Sequence, residues 1–222
     1  HGAVGCAAAS ALGGGGGGHC SVGAHLPVVR VPDAKLNRIT RKNHQGVIAQ
    51  VSSIAYASLD NVIDQCYAVG KSPLILVLDH ITDVRNFGAI ARTAECAGVD
   101  AIVIPEKGSA QINSDAVKTS AGALNFIPVA RVKNLFYTCR DLQKMGLSLI
   151  AVTEKTDKNM YEADFSAPVA MILGSEEDGI SQEIMGIADA KVKIPMAGNI
   201  ESLNVSVSAG VAIYEAIRQR KK

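Results

Sequence analysis

From Pro73 onward, short apolar runs alternate regularly with amphipathic stretches, and this alternation constrains the fold more than any other feature. The apolar runs are rich in β-branched residues and nearly continuous in hydrophobicity, which is typical of strands buried on both faces of a parallel sheet. We predict strands at residues 74–78, 101–104, 127–130, 147–152, 169–173 and 192–194. We predict helices at residues 89–97, 115–121, 134–144 and 182–188, and a C-terminal helix reaching Gln219. Alternating strands and helices indicate an α/β fold with a parallel sheet.

One segment of this region does not follow a single period. Leu203, Val205 and Val207 alternate as in a strand, whereas the apolar spacing from Val207 onward favours a helix. Periodicity alone does not decide where the C-terminal helix begins.

The first 72 residues differ in composition from the rest. Residues 1–25 contain a glycine run among alanines, which buries too little apolar surface to offset the entropy of ordering, so we expect a flexible tract. Residues 26–72 contain a short apolar alternation at 46–51 and a predicted helix at 59–68 that ends at Gly70. We interpret residues 26–72 as the remnant of a small domain with its linker.

Charge and cysteine content exclude several classes. The 22 Lys+Arg residues nearly balance the 21 Asp+Glu residues, so the chain has no overall basic field. The five cysteines are scattered without a CxxC pair and the five histidines lack paired spacing, so we expect reduced thiols and no metal site. No apolar run approaches the roughly 20 residues of a membrane span, and we find no signal peptide. We therefore expect a soluble cytoplasmic protein.

Ligands of open parallel sheets bind at the carboxyl ends of strands, so polar residues and glycines just after each predicted strand are candidate site residues. The first such cluster contains Asp79, Asp83, Asn86, Gly88 and Arg92. We expect Asn86 to lie where a helix begins, as a possible N-cap. Arg92 is either a solvated helical arginine or a cation that faces a ligand at the strand ends.

Two further clusters follow later strands. The second contains Gly174, Glu176 and Gly179, where glycine allows a ligand to approach the backbone. The third begins with Ile194-Pro195-Met196 and continues to Ser202 and Asn204, either of which is an ordinary N-cap in the simpler interpretation. The chain has no GxGxxG after its first regular strand, no GxxxxGK[ST] and no GxSxG, which argues against a dinucleotide enzyme, a P-loop NTPase or a serine hydrolase.

In this order, the three clusters resemble the three motifs of the SpoU (TrmH-like) branch of the SPOUT RNA 2'-O-ribose methyltransferases. The resemblance covers residues 73–222. The matching strings are Asn86-x-Gly88-x-x-x-Arg92, Leu173-Gly174-Ser175-Glu176 through Gly179, and Ile194-Pro195-Met196 through Ser202-Leu203-Asn204-Val205-Ser206-Val207 with Tyr214-Glu215. Upstream, residues 43–47 resemble the end of the L30e-like RNA-binding domain of RlmB-type enzymes, which methylate a guanosine ribose in large-subunit (23S) rRNA.

The resemblance implies a parallel-sheet domain with a C-terminal deep trefoil knot, which sequence physics alone does not suggest because knots are rare. It implies S-adenosyl-L-methionine as cofactor and transfer of its methyl group to a ribose 2'-hydroxyl of RNA. It also implies a homodimer with the C-terminal helix at the interface, although Val211, Ile213 and Ile217 of that helix are equally consistent with core positions. The cofactor would be held by Gly174, Ile194 and Leu203, with Thr153, Met196 and Ser202 nearby.

The catalytic residues implied by the resemblance are Arg92, Asn86, Glu176, Ser202 and Asn204. Family mechanisms make the arginine an activating residue. A guanidinium is almost always protonated, so we favour Arg92 as the group that positions the target phosphate and stabilises the developing oxyanion. Asn86 and Asn204 would shape the pocket, and Glu176 would orient Arg92 or the ribose.

RNA affinity should come from a local basic surface, unless these charges are merely solvated. Its candidates are Arg38, Arg41, Lys42, Arg85, Lys118, Arg131, Arg218, Arg220, Lys221 and Lys222. Three alternatives stay open at this point: a tRNA guanosine substrate, a non-catalytic RNA-binding ribosome-assembly factor of the same fold, and an α/β enzyme for another nucleotide. The last would require a phosphate loop that we do not find. We expect no DNA or membrane partner.

Overall fold

The structure, a computed structural model, describes residues 30–41, 43–48, 53–200 and 202–221. The chain divides into two units, residues 1–51 and residues 52–222. The tract predicted to be flexible at residues 1–25, and the part of the predicted apolar alternation beyond residue 48, lie outside the described residues.

The first unit contains one short helix, α1 (Asp33–Ile39), among its described residues. The His44 ring nitrogen Nε2 lies 3.0 Å from Oδ1 of Asn37. A turn follows at Gln45 and Gly46, both of which have positive φ. The histidine therefore ties this turn back to α1.

The second unit is built on one six-stranded parallel sheet, which confirms the predicted α/β class. Its strands are β1 (Leu74–Asp79), β2 (Ala101–Pro105), β3 (Val129–Val132), β4 (Ser148–Val152), β5 (Val169–Gly174) and β6 (Ala190–Val192). Their order across the sheet is β3-β2-β1-β5-β4-β6, and every neighbouring pair is parallel. Two strands are shifted by about two residues from the predicted bounds: β3 begins after Pro128, and β6 ends before Ile194-Pro195.

The helices of this unit are α2 (Leu59–Ala68), α3 (Val84–Ala97), α4 (Ser114–Thr119), α5 (Leu135–Lys144), α6 (Gln182–Ile187) and α7 (Val205–Arg220). Short 3-10 turns lie at Ala123–Asn125 and Met160–Glu162. The uncertain segment around residue 205 is helical, because Asn204 caps α7 by accepting a hydrogen bond from the Ser206 amide at 3.0 Å. Within the described ranges, no helix has the length and apolarity needed to cross a membrane.

The prediction for the start of α3 is wrong. The helix begins at Val84, because the Asp83 carboxylate accepts hydrogen bonds from the Arg85 and Asn86 amides at 2.7 and 2.8 Å. An aspartate at this position satisfies amides that have no partner inside the helix. Asn86 therefore lies in the first turn and is not the N-cap, and its side chain is available for other contacts.

Side chains alternate between the two faces of the sheet, and each face is covered by helices. Leu76 and Leu78 of β1 belong to one apolar cluster with α3 and α7. Ile75 and Val77 belong to a second cluster with α5 and α6, which also includes Ile63 of α2. The period-two alternation of a buried strand accounts for this three-layer arrangement.

The last turn of α7 is anchored by Gln219 and Arg220, which we call the C-terminal anchor. Arg220 donates hydrogen bonds to four backbone carbonyls, those of Ser72, Pro73, Phe165 and Ala167. Gln219 accepts a bond from the Phe165 amide at 2.8 Å and donates one to the Ala163 carbonyl at 3.0 Å. The expectation that Arg220 contributes to an exposed basic surface is therefore wrong, because four of its five donors are occupied inside the protein.

Candidate active site

The predicted cofactor-binding residues lie at the carboxyl ends of adjacent strands. Gly174 ends β5 and pairs in register with Asp79 at the end of β1. Thr153 follows β4, is buried, and donates its backbone amide to the Val192 carbonyl at the end of β6 at 2.8 Å. Ile194 leaves β6 two residues later. The sheet order therefore brings Thr153, Gly174 and Ile194 to one edge, where ligands of such folds bind.

The turn after β5 requires glycine at Gly174. A Cβ added at Gly174 would lie 2.0 Å from the carbonyl carbon of Gly179, which is far too close for any side chain. Gly179 itself has φ of +71°, and it forms an antiparallel bridge with Ser175. The Asp178 amide adds a hydrogen bond to the Ser175 hydroxyl at 3.0 Å. The loop therefore folds back tightly on the strand end, and Glu176 lies within it.

One side chain from each of the three sequence clusters meets at the start of α7. The Asn204 amide nitrogen Nδ2 donates to Oε1 of Glu176 at 2.6 Å and to Oδ1 of Asn86 at 3.1 Å. The same Glu176 oxygen accepts the backbone amide of Val205 at 2.9 Å. Because helix amides are unsatisfied in the first turn and carry partial positive charge, the carboxylate stabilises the start of α7. We call these three side chains the Asn86–Glu176–Asn204 cluster.

Arg92 lies apart from the hydrogen bonds of this cluster. It follows Asn86 by six residues on α3, which places it about 9 Å further along the axis and roughly 120° around it. The Arg92 side chain is exposed and lines a hollow together with Ser120, Ala121 and Phe126. Glu176, which we expect to orient Arg92 or the ribose, contacts Asn204 and Val205.

The loop between β6 and α7 is open to a ligand. Among the described residues, 194–200 and 202–203 make no hydrogen bond to one another or to the rest of the chain. Met196 and Ser202 are exposed, while Ile194 and Leu203 are half-buried. Free backbone donors and acceptors beside apolar side chains suit an adenosine-type cofactor, which needs polar contacts to its base and apolar contacts to its rings. The residues present therefore fit the cofactor that the sequence resemblance implies.

The structure also shows a buried carboxylate, Asp79, which the sequence analysis placed in the first cluster without assigning it a role. Asp79 is only 1% exposed, accepts the Ser181 amide at 2.8 Å, and lies 2.6 Å from Nδ1 of His80. Because Ser181 precedes α6, Asp79 fixes the start of that helix against the end of β1. An acidic residue directly after a buried apolar strand was the available signal, since such a group is buried only with partners.

Comparison with known proteins gives a consistent set of matches. Residues 73–214 match the family model described as "SpoU rRNA Methylase family", and residues 23–57 match the model "RNA 2'-O ribose methyltransferase substrate binding". A 23S rRNA (guanosine-2'-O-)-methyltransferase RlmB of Vibrio parahaemolyticus is 39% identical, over 86% of this chain and 81% of the relative. The RlmB protein of Ralstonia nicotianae is 40% identical, over 80% of this chain and 70% of the relative.

A solved structure has a similar fold. The SpoU methyltransferase AviRb from Streptomyces viridochromogenes, crystallised in complex with the cofactor AdoMet, superposes with a TM-score of 0.67 at 27% identity. The match covers 75% of this chain and 66% of AviRb, so this chain spans slightly less than two thirds of that protein.

Proposed function

This chain belongs to the SpoU rRNA methylase family, and we propose that it methylates the ribose 2'-hydroxyl of a guanosine in 23S rRNA. It is an S-adenosylmethionine-dependent RNA (guanosine-2'-O-)-methyltransferase. The observation that carries the proposal is the Asn86–Glu176–Asn204 cluster, in which one residue from each of three distant motifs meets beside an open loop. A protein that only binds RNA has no physical need for this convergence.

The edge formed by β1, β5, β4 and β6 is the proposed cofactor site. Gly174, Thr153, Ile194, Met196, Ser202 and Leu203 would hold S-adenosylmethionine there, largely through backbone groups. When bound, the cofactor supplies an electrophilic methyl group on a positively charged sulfur. The tight Gly174–Gly179 turn and the ordered start of α7 provide two fixed walls for this site.

The residues of the chain then orient the ribose and stabilise charge. Glu176 holds Asn204, which in turn bonds Asn86, at the start of α7, where the two amides can bond a ribose hydroxyl with Ser202 close by in sequence. Arg92 positions the target phosphate and stabilises the oxyanion that forms as the 2'-hydroxyl loses its proton. A guanidinium carries hydrogen-bond donors but no acceptor, so we assign proton acceptance to the phosphate rather than to Arg92.

We also propose the trefoil knot and the homodimer that the family resemblance implies. In support of the knot, the chain leaves the edge strand β6 and returns through the loop 194–204 to pack α7 against α3, over the middle of the sheet. In support of the dimer, Val207 and Tyr214 lie seven residues apart on α7 and are 50% and 54% exposed. Ile213 is instead fully buried, and Val211 and Ile217 pack against the core.

The N-terminal region would contribute to RNA binding. Its match to a substrate-binding model supports an RNA substrate, and we propose that it is the remnant of an L30e-like domain spanning residues 26–72, preceded by the flexible tract 1–25 and followed by the catalytic domain 73–222. Ribosomal RNA as substrate points to the cytoplasm as the place of action.

The deciding experiment is incubation of the protein with labelled S-adenosylmethionine and total RNA, followed by mapping of the modified ribose. We expect label on one guanosine of 23S rRNA, and loss of at least 100-fold in turnover for Arg92→Ala. Label in tRNA would overturn the choice of RNA. RNA binding without any label would instead indicate an assembly factor of the same fold.

The variant Arg92→Lys tests the role of the guanidinium. If Arg92→Lys keeps near-wild-type turnover while Arg92→Ala loses it, bidentate contact with phosphate is unnecessary and the assigned role is wrong.

A further inference from the structure

A hollow of about 270 Å³ opens between α3 and the segment that follows α4. On the helix side it is lined by Arg92, Glu95 and Cys96, and on the other side by Ser120, Ala121 and Phe126, together with Ala123. Residues three and four apart project from the same face of a helix, so Arg92, Glu95 and Cys96 form one wall.

Both walls are held in place before any ligand binds. A Cβ at Gly88 would lie 2.7 Å from the Thr119 Cβ and 3.0 Å from the Ser120 amide nitrogen, so this glycine lets α3 pack closely against the end of α4. The buried Ser120 donates its hydroxyl to the Val117 carbonyl at 2.8 Å. Backbone bonds from Phe126 and the next residue to the Ala123 carbonyl, at 2.9 and 3.0 Å, close the turn. The hollow is therefore preformed.

Three groups in the hollow have free interaction capacity. Phe126 is 77% exposed, so the face of its ring is accessible to a planar group. Within the part of the chain that the structure describes, the side chains of Arg92 and Glu95 form no hydrogen bond or ion pair, either with each other or with other residues. A flat apolar ring, a cation and a carboxylate thus face one small space.

We propose that this hollow receives the base of the target guanosine and that Glu95 determines the preference for guanine. This inference rests on the proposed function. Phe126 stacks on the base, Glu95 accepts hydrogen bonds from its Watson–Crick edge, and Arg92 contacts the attached phosphate. Unpaired bases in RNA are recognised in this way, by stacking on aromatic rings and by hydrogen bonds to their edges.

The carboxylate selects among the bases. An ionised carboxylate only accepts hydrogen bonds. Guanine carries two adjacent donors, the N1–H and the N2 amino group, whereas adenine, cytosine and uracil each place an acceptor beside their donor. Glu95 can therefore bond guanine through both oxygens and repels the acceptors of the other bases.

The position of the hollow fits this assignment. Asn86, in the Asn86–Glu176–Asn204 cluster, and Arg92 lie on the same rigid helix about 9 Å apart along its axis. Arg92 lies roughly 120° around the helix from Asn86 and lines the hollow, so its long side chain, which we assign to the target phosphate, is the group that links the hollow to the reaction.

The test uses RNA fragments in which the mapped target guanosine is kept or is replaced by inosine, which lacks only the N2 amino group. For the wild-type protein, we expect kcat/KM to fall at least tenfold with inosine, because one charge-assisted hydrogen bond is lost. For Glu95→Ala, we expect guanosine and inosine to react at equal rates. Glu183 is an exposed acidic residue on α6, at the opposite face of the sheet, so Glu183→Ala should keep the wild-type preference for guanosine over inosine.

Phe126 is tested with the same fragments. Phe126→Leu should raise KM about tenfold for guanosine and inosine alike, since stacking does not read the amino group, and Phe126→Tyr should restore the wild-type KM. Melting temperatures of all variants are compared to show that they are folded.

The outcomes separate cleanly. Absence of label from the unmodified wild-type RNA would count against the proposed function itself. Normal labelling with no preference for guanosine, or a preference that survives in Glu95→Ala, would overturn the role of Glu95. Alkylation of Cys96 gives an independent reading: protection by RNA supports the proposal. Protection that depends on protein concentration without RNA would make the hollow an interface between two copies of the chain and overturn it.

Discussion

The two ends of α7 are held by different kinds of contact. At its start, Asn204 and the Val205 amide bond to Glu176, and Asn204 also bonds to Asn86. These three side chains, of Asn86, Glu176 and Asn204, are exposed or half-buried. At its end, Arg220 donates hydrogen bonds to four backbone carbonyls in two chain segments. Gln219 forms hydrogen bonds with backbone groups of residues 163 and 165. Burial lowers the pKa of Arg220 from its ordinary value, but the guanidinium stays protonated at neutral pH.

The difference between these contacts indicates that one end of α7 serves stability and the other serves the chemistry of the site. Hydrogen bonds from a partly buried charged group to carbonyls that have few other partners are costly to lose, whereas exposed polar side chains can exchange partners with a ligand. We infer that the end of α7 fixes its position and that its start remains available to substrate and cofactor. The following predictions, in order of expected effect, test this division.

Replacing Arg220 of the C-terminal anchor should have the largest effect, and that effect should be a loss of stability. Arg220→Ala removes the donor from four carbonyls, so we expect a loss of about 3 kcal/mol in the free energy of unfolding. Urea unfolding measures this loss. Arg218→Ala, which changes a side chain that is 70% exposed, should lower the urea midpoint far less. If Arg220→Ala also strongly lowered turnover per folded molecule, the two ends of α7 would be coupled. The assignment of stability to its end and of chemistry to its start would then be wrong.

Removing the carboxylate at the start of α7 should act on activity instead. In Glu176→Ala, Asn204 and the Val205 amide lose their acceptor, so we expect turnover to fall about 100-fold. The free energy of unfolding should change by less than about 1 kcal/mol because the site is exposed. The neighbouring exposed Glu177→Ala is the matched control and should keep its activity. A large loss in the free energy of unfolding with unchanged turnover would contradict this assignment.

A smaller effect is expected for the third member of the cluster. Asn86→Ala removes one hydrogen bond at 3.1 Å and leaves Glu176 bound to Asn204, so turnover should fall roughly tenfold. Separate measurement of kcat and of KM for the cofactor should place the loss in kcat. A decrease as large as that of Glu176→Ala would show that Asn86, rather than the carboxylate, organises the start of α7.

The smallest effect concerns pH. The hydrogen bond from Arg218, and then that from Gln219, lower the pKa of the buried Glu215. A lowered folded-state pKa contributes stability that is present above the ordinary glutamate pKa of about 4.3 and is lost as the pH falls through the folded value. In urea unfolding, the excess stability of wild type over Glu215→Gln should therefore be constant near neutrality and shrink below pH about 4.3. A difference that grew on acidification would contradict this sign.

Local sequence signals located most elements but not all of their ends. The bounds of α2 were predicted to the residue, because its apolar spacing ends at a clear Val69-Gly70 stop. The start of α3 was missed by five residues, since Gly88 lowers the helix propensity of the first turns. That glycine is explained only by the close packing of α3 on Thr119 and Ser120, a contact between elements.

The candidate site divides in the same way. The motifs predicted Asn86, Glu176 and Asn204 as part of one catalytic set with Arg92 and Ser202, and the structure shows hydrogen bonds among the first three only. The partner of Glu176 could not be predicted, because the contact joins residues 28 positions apart and depends on where the loop 194–204 carries the chain. Nothing in the sequence distinguishes Glu95 or Phe126 from ordinary surface residues.

The sequence by itself determined the parallel α/β sheet, the family and the three segments that carry its motifs, because hydrophobic period and motif strings are local properties of the chain. Only the tertiary structure decided which side chains touch. It placed Arg92 beside Glu95 and Phe126 rather than in the Asn86–Glu176–Asn204 cluster, and it moved Arg220 from the expected surface into the anchor. Such choices depend on how helices pack against the sheet, and packing between distant segments leaves no periodic trace in the sequence.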